Sequence, residues 1–178
     1  LPSEEALRLA DVRAPALGVL WRARQVVDRG RGARRGKDCL GDIQDPQLGG
    51  DLSRARLAYR DVASSTNRLS LIAAVLPPMV VTTHSLFCLK TKLSRDNQAF
   101  LCAMLNSYVA NYLVRQVMTT HLGSATVEAL RVPKPRYDLP PFEEIVELAH
   151  VLARKRDECA YARVQALAAQ CYGLTEAE

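Results

Sequence analysis

Three stretches in the middle of the chain have the hydrophobic pattern of β-strands. Residues 56–62 alternate Leu57 and Tyr59 with smaller or polar side chains, which predicts a strand with one polar side. Residues 69–76 are apolar on both faces and end at two prolines, so we expect a central strand. Residues 80–89 are rich in β-branched and aromatic side chains, and they predict a third strand that pairs with the second.

After the third strand the pattern changes to the period of a helix. Ser94 or Asp96 can cap a helix that runs to about Val117. Its apolar side chains form one broad stripe, so the helix must pack on another element. The stripe consists of Phe100, Leu101, Met104, Leu105, Tyr108, Val109, Tyr112 and Leu113.

A polar loop and a second helical stretch complete the pattern. Residues 119–126 predict the loop, and residues 131–135 predict an extended strand stopped by proline. A proline pair can open a long helix over about residues 142–172, because proline is tolerated in the first turn of a helix. Gly173 can end this helix. These elements predict an α+β fold, with a twisted mixed or antiparallel sheet packed by one amphipathic helix and a long C-terminal helix.

The N-terminal residues differ from the rest of the chain. Residues 22–37 contain seven Arg or Lys and one acid. Such a basic run is either a solvated arm or a nucleic-acid contact. Residues 29–51 are rich in glycine and charge and show no periodicity, which predicts a long loop that is either functional or disordered. We therefore divide the chain into an N-terminal segment with a basic Gly-rich loop (1–53), a core (54–138) and a helical C-terminal arm (139–178).

Composition bounds the class of protein. The chain has 178 residues, 48% of them hydrophobic, and a net charge of +5, so it can form a core and is moderately basic. Its five cysteines show no CxxC spacing, which argues against a disulfide framework or zinc site and fits a reducing compartment. The sequence has no run of about 18 apolar residues and no signal-peptide pattern, so we expect no membrane span and a cytoplasmic location.

The sequence lacks the motifs of common enzyme sites. No glutamate occurs between Glu5 and Glu128, which excludes an Asp…Glu-x-Lys nuclease pair there. Phosphate-binding glycine motifs and GxSxG are absent, and neither Pro-Pro pair has the polar preceding residue that grips a flipped base. His84 and His121 each follow two threonines. Each is either a hydrogen-bonded loop histidine or a contact to phosphate or base, because spacing indicates neither an orienting carboxylate nor a nucleophile.

Several segments are similar, in order and spacing, to a known pattern. They are R-x-x-Y-R-D-V-A-S-S-T-N-R at 56–68, L-I-A-A-V-L-P at 71–77, L-N-S at 105–107, G-S-A-T at 123–126 and L-R-V-P-K-P at 130–135. This combination resembles the C-terminal target-recognition domain, or TaqI-like specificity domain, of DNA adenine-N6 methyltransferases and fused type IIG restriction–modification enzymes. It resembles half of a type I specificity subunit more distantly.

The resemblance covers roughly residues 54–176 and implies a sequence-specific DNA target-recognition domain that is not catalytic by itself. It implies double-stranded DNA as a partner and a mixed fold with a long helical arm. In the family, a catalytic methyltransferase domain that binds S-adenosylmethionine lies upstream. Neither that domain nor its Asn-Pro-Pro-Tyr-type loop occurs here, so we expect no cofactor in this fragment. The second expected partner is the catalytic domain of the same parent chain, with or without endonuclease activity.

The candidate DNA contacts are side chains suited to reading bases or binding phosphate. Arg can pair with guanine, Asn with adenine, and Ser or Thr with several base edges. The base-reading candidates are Arg60, Asn67, Arg68, Thr82, Thr83, His84, Thr119, Thr120 and Ser124. The phosphate-binding candidates are Arg24, Arg31, Arg34, Arg35 and Lys37. No catalytic or metal-binding residue is assigned.

Other interpretations stay open at this point. Arg60, Asn67 and Arg68 could equally stabilise the fold, Arg60 by pairing with Asp61 or Asp51 and Asn67 by holding a turn. The chain could also be a protein–protein interaction module that docks through its long C-terminal helix, because both helical stripes are apolar. An enzyme with an unrecognised site is a third class, which no motif supports.

Overall fold

A computed structural model describes residues 53–78, 80, 82, 85–89, 91–134 and 140–175 of the chain. Within these residues the chain forms three strands followed by five helices, and the predicted α+β class is confirmed. The elements are β1 (Arg56–Arg60), β2 (Ala73–Leu76), β3 (Leu86–Cys88), α1 (Arg95–Leu105), α2 (Tyr108–Arg115), α3 (Ser124–Glu128), α4 (Pro140–Arg154) and α5 (Glu158–Cys171). The predicted basic loop of the N-terminal segment lies outside the described residues.

The sheet is antiparallel, with the strand order β2-β1-β3. Its centre is β1, in which Tyr59 pairs with Ala73 on one side and with Phe87 on the other. The prediction that the second stretch is the central strand, and that it pairs with the third, is therefore wrong. The first strand is confirmed. The face that was expected to be polar is largely buried, however, and even Arg56 is buried there.

Two asparagines explain why β3 does not pair with β2. The Asn106 side-chain amide accepts from Ala73 N (3.1 Å) and donates to Ala73 O (2.9 Å). The Asn111 amide accepts from Leu71 N (2.9 Å) and donates to Leu71 O (3.1 Å). These amides occupy the N–H and C=O of Ala73 in β2 and of Leu71 just before it, and the third strand pairs with the other edge of β1.

The predicted strands are longer than the observed ones. Residues 69–72 are buried, as expected, but they lie outside β2, which begins at Ala73. In the third stretch the structure describes a strand only at 86–88, and residues 131–134 form no strand. Residues 69–72 are thus buried without forming a strand, because side chains make hydrogen bonds to part of their backbone in place of a neighbouring strand.

Each predicted long helix is two helices. The Ser107 hydroxyl accepts from Ala110 N (3.1 Å) and donates to Met104 O (2.6 Å), so α1 ends and α2 begins there although the apolar stripe continues. Likewise, the Asp157 carboxylate accepts from Ala160 N (3.0 Å) and caps α5. Both residue types compete with the helix backbone for hydrogen bonds and favour caps.

Two predicted helix ends are confirmed. The Ser94 side chain accepts from Asn97 N at the start of α1 (3.2 Å). Gly173 has φ 76° after α5, donates to Gln170 O (2.9 Å), and is followed by Leu174, which donates to Ala169 O (3.0 Å). This is the pattern of a helix end that needs a left-handed residue, and glycine adopts that conformation without a Cβ clash.

Helix α1 lies between two hydrophobic cores. One of its faces packs against α4 and α5, where the rings of Phe100 and Phe142 have centroids 5.2 Å apart. Its Leu105 belongs to the second core, formed with the sheet and residues of α2 and α3. In α4 and α5, Ile145 and Val164 are buried in the first core, so internal packing accounts for the predicted apolar stripe of the C-terminal arm.

Within the described residues, no helix is long and apolar enough to cross a lipid bilayer.

Candidate functional site

Three of the polar segments singled out by the sequence meet at Asp61, directly after β1. Asp61 N donates to Ser85 O (3.0 Å), which precedes β3. Asp61 O accepts from Leu122 N (2.9 Å), and Val62 forms an antiparallel bridge with His121. The backbone thus joins the loop after β1, the end of the loop before β3 and the 119–124 loop. We call this arrangement the Asp61 junction.

The Asp61 side chain adds a hydrogen-bond contact to the junction. Its Oδ2 lies 3.2 Å from Nδ1 of His121, whose side chain is 64% exposed while that of Asp61 is 16% exposed. Asp61 therefore pairs with His121 and not with Arg60, which was one of the structural roles considered for Arg60. His121 is a hydrogen-bonded loop histidine, as one of its two interpretations predicted. Within the described residues it has no hydrogen bond to a Ser, Thr or Cys side chain that could act as a nucleophile.

A tight turn at residues 64–67 projects from the junction. Asn67 N donates to Ser64 O (3.0 Å), and Thr66 N donates to the Ser64 hydroxyl (3.2 Å). The hydroxyls of Ser64 and Thr66 are 2.8 Å apart. Ser65, Thr66 and Asn67 are all exposed. The turn therefore presents two hydroxyls and one amide side chain to solvent, in a backbone conformation fixed by its own hydrogen bonds.

Helix α2 supports this turn from the protein side. The Arg115 guanidinium donates to the backbone carbonyls of Asn67 and Arg68, and its Nε donates to the Ser70 hydroxyl (3.3 Å). The Ser70 hydroxyl in turn donates to Ser64 O (2.8 Å). Both ends of the turn are thus connected to α2.

Part of the predicted set is exposed. Thr119 and Thr120 precede His121 in the 119–124 loop, Ser124 is the first residue of α3, and Asn67 ends the 64–67 turn. Arg68 is only partly exposed. Asn67 holds the turn through its backbone N–H, which is the structural role considered for it, and its side chain is exposed.

Two further candidates lie in or near the sheet. Arg60 is the last residue of β1 and pairs with Leu86 of β3, so it is partly buried in the sheet rather than placed in a loop. The Thr82 hydroxyl lies 3.5 Å from Cys88 Sγ and is partly buried. The remaining candidates lie outside the described residues. They are Thr83, His84, Arg24, Arg31, Arg34, Arg35 and Lys37.

Sequence reasoning missed several residues of the site. Thr66 stands at the exposed tip of the turn, and Ser-Ser-Thr-Asn is itself a turn sequence. Asn111 is 2% exposed and lies on a helix beside the buried Ala110 and Val114. A polar residue among apolar helical positions could have indicated a buried hydrogen-bonding role. No sequence signal links Asp61 with His121, because 60 positions separate them.

The perturbed ionisable groups indicate structural roles. Burial raises the pKa of the Cys102 thiol to about 12, beneath β2. Burial, followed by the charges of Asp61 and Glu128, raises the pKa of Tyr59. Cys88, Cys102, Cys159 and Cys171 are free thiols. Across the described part of the chain, no group of three or more His, Cys, Asp or Glu is placed to hold a metal ion.

Comparison of the chain with protein-family models, with curated proteins and with solved structures gave no significant match. The resemblance to target-recognition domains therefore rests on the sequence motifs alone. A function for the Asp61 junction has to be inferred from the side chains that it exposes.

Proposed function

We propose that the chain is a DNA target-recognition domain, in which the 61–68 and 119–124 loops read base edges. The observation that carries the proposal is the Asp61 junction, because it places separate polar loops side by side on one fixed backbone. Loops held on a rigid scaffold are the usual carriers of binding residues. By resemblance, the parent protein would be a DNA adenine methyltransferase with or without endonuclease activity, whose catalytic domain would bind S-adenosylmethionine.

The exposed side chains suit base recognition. The Asn67 amide can donate to adenine N7 and accept from adenine N6, and Thr66 and Thr119 offer a hydroxyl and a methyl group that fit several base edges. Base contacts require short polar groups at fixed positions, which the hydrogen-bonded turn supplies. Affinity would come from phosphate contacts, for which the basic residues 24–37 are the proposed source.

The interaction-module alternative has less support. It was motivated by apolar helical stripes, and many of their residues are buried between α1, α4 and α5. A dimer in light scattering that is insensitive to salt, together with no affinity for any duplex, would favour it.

Selection from a duplex library with a randomised centre tests the proposal. We expect enrichment of one sequence, and a fall of log K with log salt at a slope of about −4 to −5 if about five cations meet phosphates. Asn67→Ala should reduce preference at one position by about 1–3 kcal/mol. Replacing Arg34 and Arg35 with Ala should weaken all duplexes alike. Absence of binding to any duplex at low salt would refute autonomous DNA recognition.

The matched control for Asn67 is Gln170→Ala, which removes an exposed side-chain amide from α5. It should change neither the selected sequence nor the affinity. If Asn67→Ala instead weakened binding equally at every sequence, Asn67 would belong to the phosphate contacts.

A further inference from the structure

Two side chains one helical turn apart on α2 hold the chain that follows the turn. Asn111 accepts from Ser70 N (2.8 Å) and Leu71 N (2.9 Å), and Arg115 donates to the carbonyls of Asn67 and Arg68. Positions four apart lie on the same face of a helix, so both side chains can bind the same backbone segment, residues 67–71. Asn111 binds the buried end of this segment, and Arg115 binds the end next to the exposed turn.

The guanidinium of Arg115 therefore has an internal role. Its hydrogen bonds go to two carbonyls and to the Ser70 hydroxyl, which itself donates to Ser64 O (2.8 Å). The start of the turn is held through Ser70 and its end through Arg115 directly. Arginine is suited to this because its planar group presents several donors in a fixed geometry.

A turn held at both ends loses less conformational entropy when it binds a partner. Its exposed side chains also keep one arrangement, so a matching sequence gains more than a mismatched one. We propose that Arg115 is a positioning residue, which fixes the turn that carries Thr66 and Asn67 and thereby sets base discrimination without contacting DNA phosphate. The inference rests on the proposed function.

Arg115→Met is the test variant, because it keeps an apolar stem and removes the donors. Arg154→Met is the matched control, since Arg154 is also the last residue of its helix and is exposed. The probes are the duplex selected by the wild-type chain and a scrambled duplex, measured well below the melting temperature of every variant. For Arg115→Met we expect discrimination between the two duplexes to fall on the order of 10-fold. The slope of log K against log salt should stay unchanged, because no phosphate contact is lost.

A phosphate contact would behave differently. Arg115→Met would then weaken both duplexes equally, and the salt slope would become shallower by about 1. Arg115→Lys separates the two roles further. An ammonium group can replace a guanidinium at a phosphate, but it lacks the planar donor array that binds two carbonyls and a hydroxyl. Discrimination close to that of the wild type in Arg115→Lys would overturn the proposal.

Hydrogen exchange gives a readout that needs no DNA. In Arg115→Met, the amides of residues 65–70 should exchange faster than in the wild type, whereas Arg154→Met should leave them unchanged. Unchanged exchange in Arg115→Met would overturn the positioning role. If the wild-type chain selects no sequence, the proposed function fails, and exchange alone decides whether Arg115 holds the turn.

Discussion

Replacing Asn111 with Ala should strongly destabilise the fold. The side chain is 2% exposed, and its amide is bonded to the backbone of Ser70, Leu71 and Ser107 at distances from 2.8 to 3.1 Å. The variant leaves Ser70 N, Leu71 N and Leu71 O without these partners in a buried place. Ser107 O keeps a hydrogen bond from Asn111 N (3.1 Å). At about 1–3 kcal/mol for each orphaned group, with partial relief by water, we expect a loss of about 3 to 5 kcal/mol.

Urea denaturation followed by circular dichroism measures this loss. A small domain has a free energy of unfolding of about 5–15 kcal/mol, so the midpoint should shift far towards low urea while the slope stays similar. Gln170→Ala is the control, because it removes an exposed amide from a helix and should stay within about 0.5 kcal/mol. A loss below about 1 kcal/mol in Asn111→Ala would refute the reasoning, since water would then satisfy the backbone groups as well as the amide does.

Two further predictions concern ionisable groups. Burial raises the pKa of Cys102 to about 12, whereas Cys159 is exposed, so iodoacetamide should modify Cys159 in the native protein and Cys102 only after unfolding. Mass spectrometry of the peptides checks this, and equal rates would contradict the burial. The pKa of Asp157 is lowered, chiefly by the hydrogen bond from Ala160 N. A carboxyl with a lowered folded pKa stabilises above its ordinary value of 3.8 and loses this contribution as the pH falls through the folded pKa. The melting temperature of Asp157→Ala should therefore lie below that of the wild type at neutral pH, and the gap should close below pH 3.8; a gap independent of pH would contradict the role.

The sequence predicted those features of the fold that depend on neighbouring residues. The strand β1, the Ser94 cap and the left-handed Gly173 are each indicated by a few neighbouring residues, and all three are confirmed, although β1 lacks the expected polar side. The helix breaks were missed because the apolar period continues across Ser107, and one capping hydroxyl is a weak signal against a long stripe. Strand pairing was wrong because it depends on side chains far along the chain, above all Asn106.

In the candidate site, too, the sequence indicated the local features and missed the contacts between distant segments. Residue chemistry alone selected the polar loops, and Asn67, Thr119, Thr120 and Ser124 are exposed within them. The sequence pattern could not predict which loops lie next to one another in the fold. The contact of Asp61 with His121 and the bonds from Arg115 to the turn join positions more than 40 apart, so no local pattern indicates either of them.

The asparagines beside β2 also bear on how copies of this chain meet one another. A bare strand edge is a template on which a second molecule can add a strand, and proteins avoid this by covering or disrupting the edge. Here the Asn106 and Asn111 amides offer Ala73 and Leu71 the donor and acceptor that a neighbouring peptide would offer. The edge of β2 is thereby occupied at Ala73, and the chain just before it at Leu71, so we expect these two asparagines to hinder the addition of a strand from a second molecule as well as to oppose unfolding.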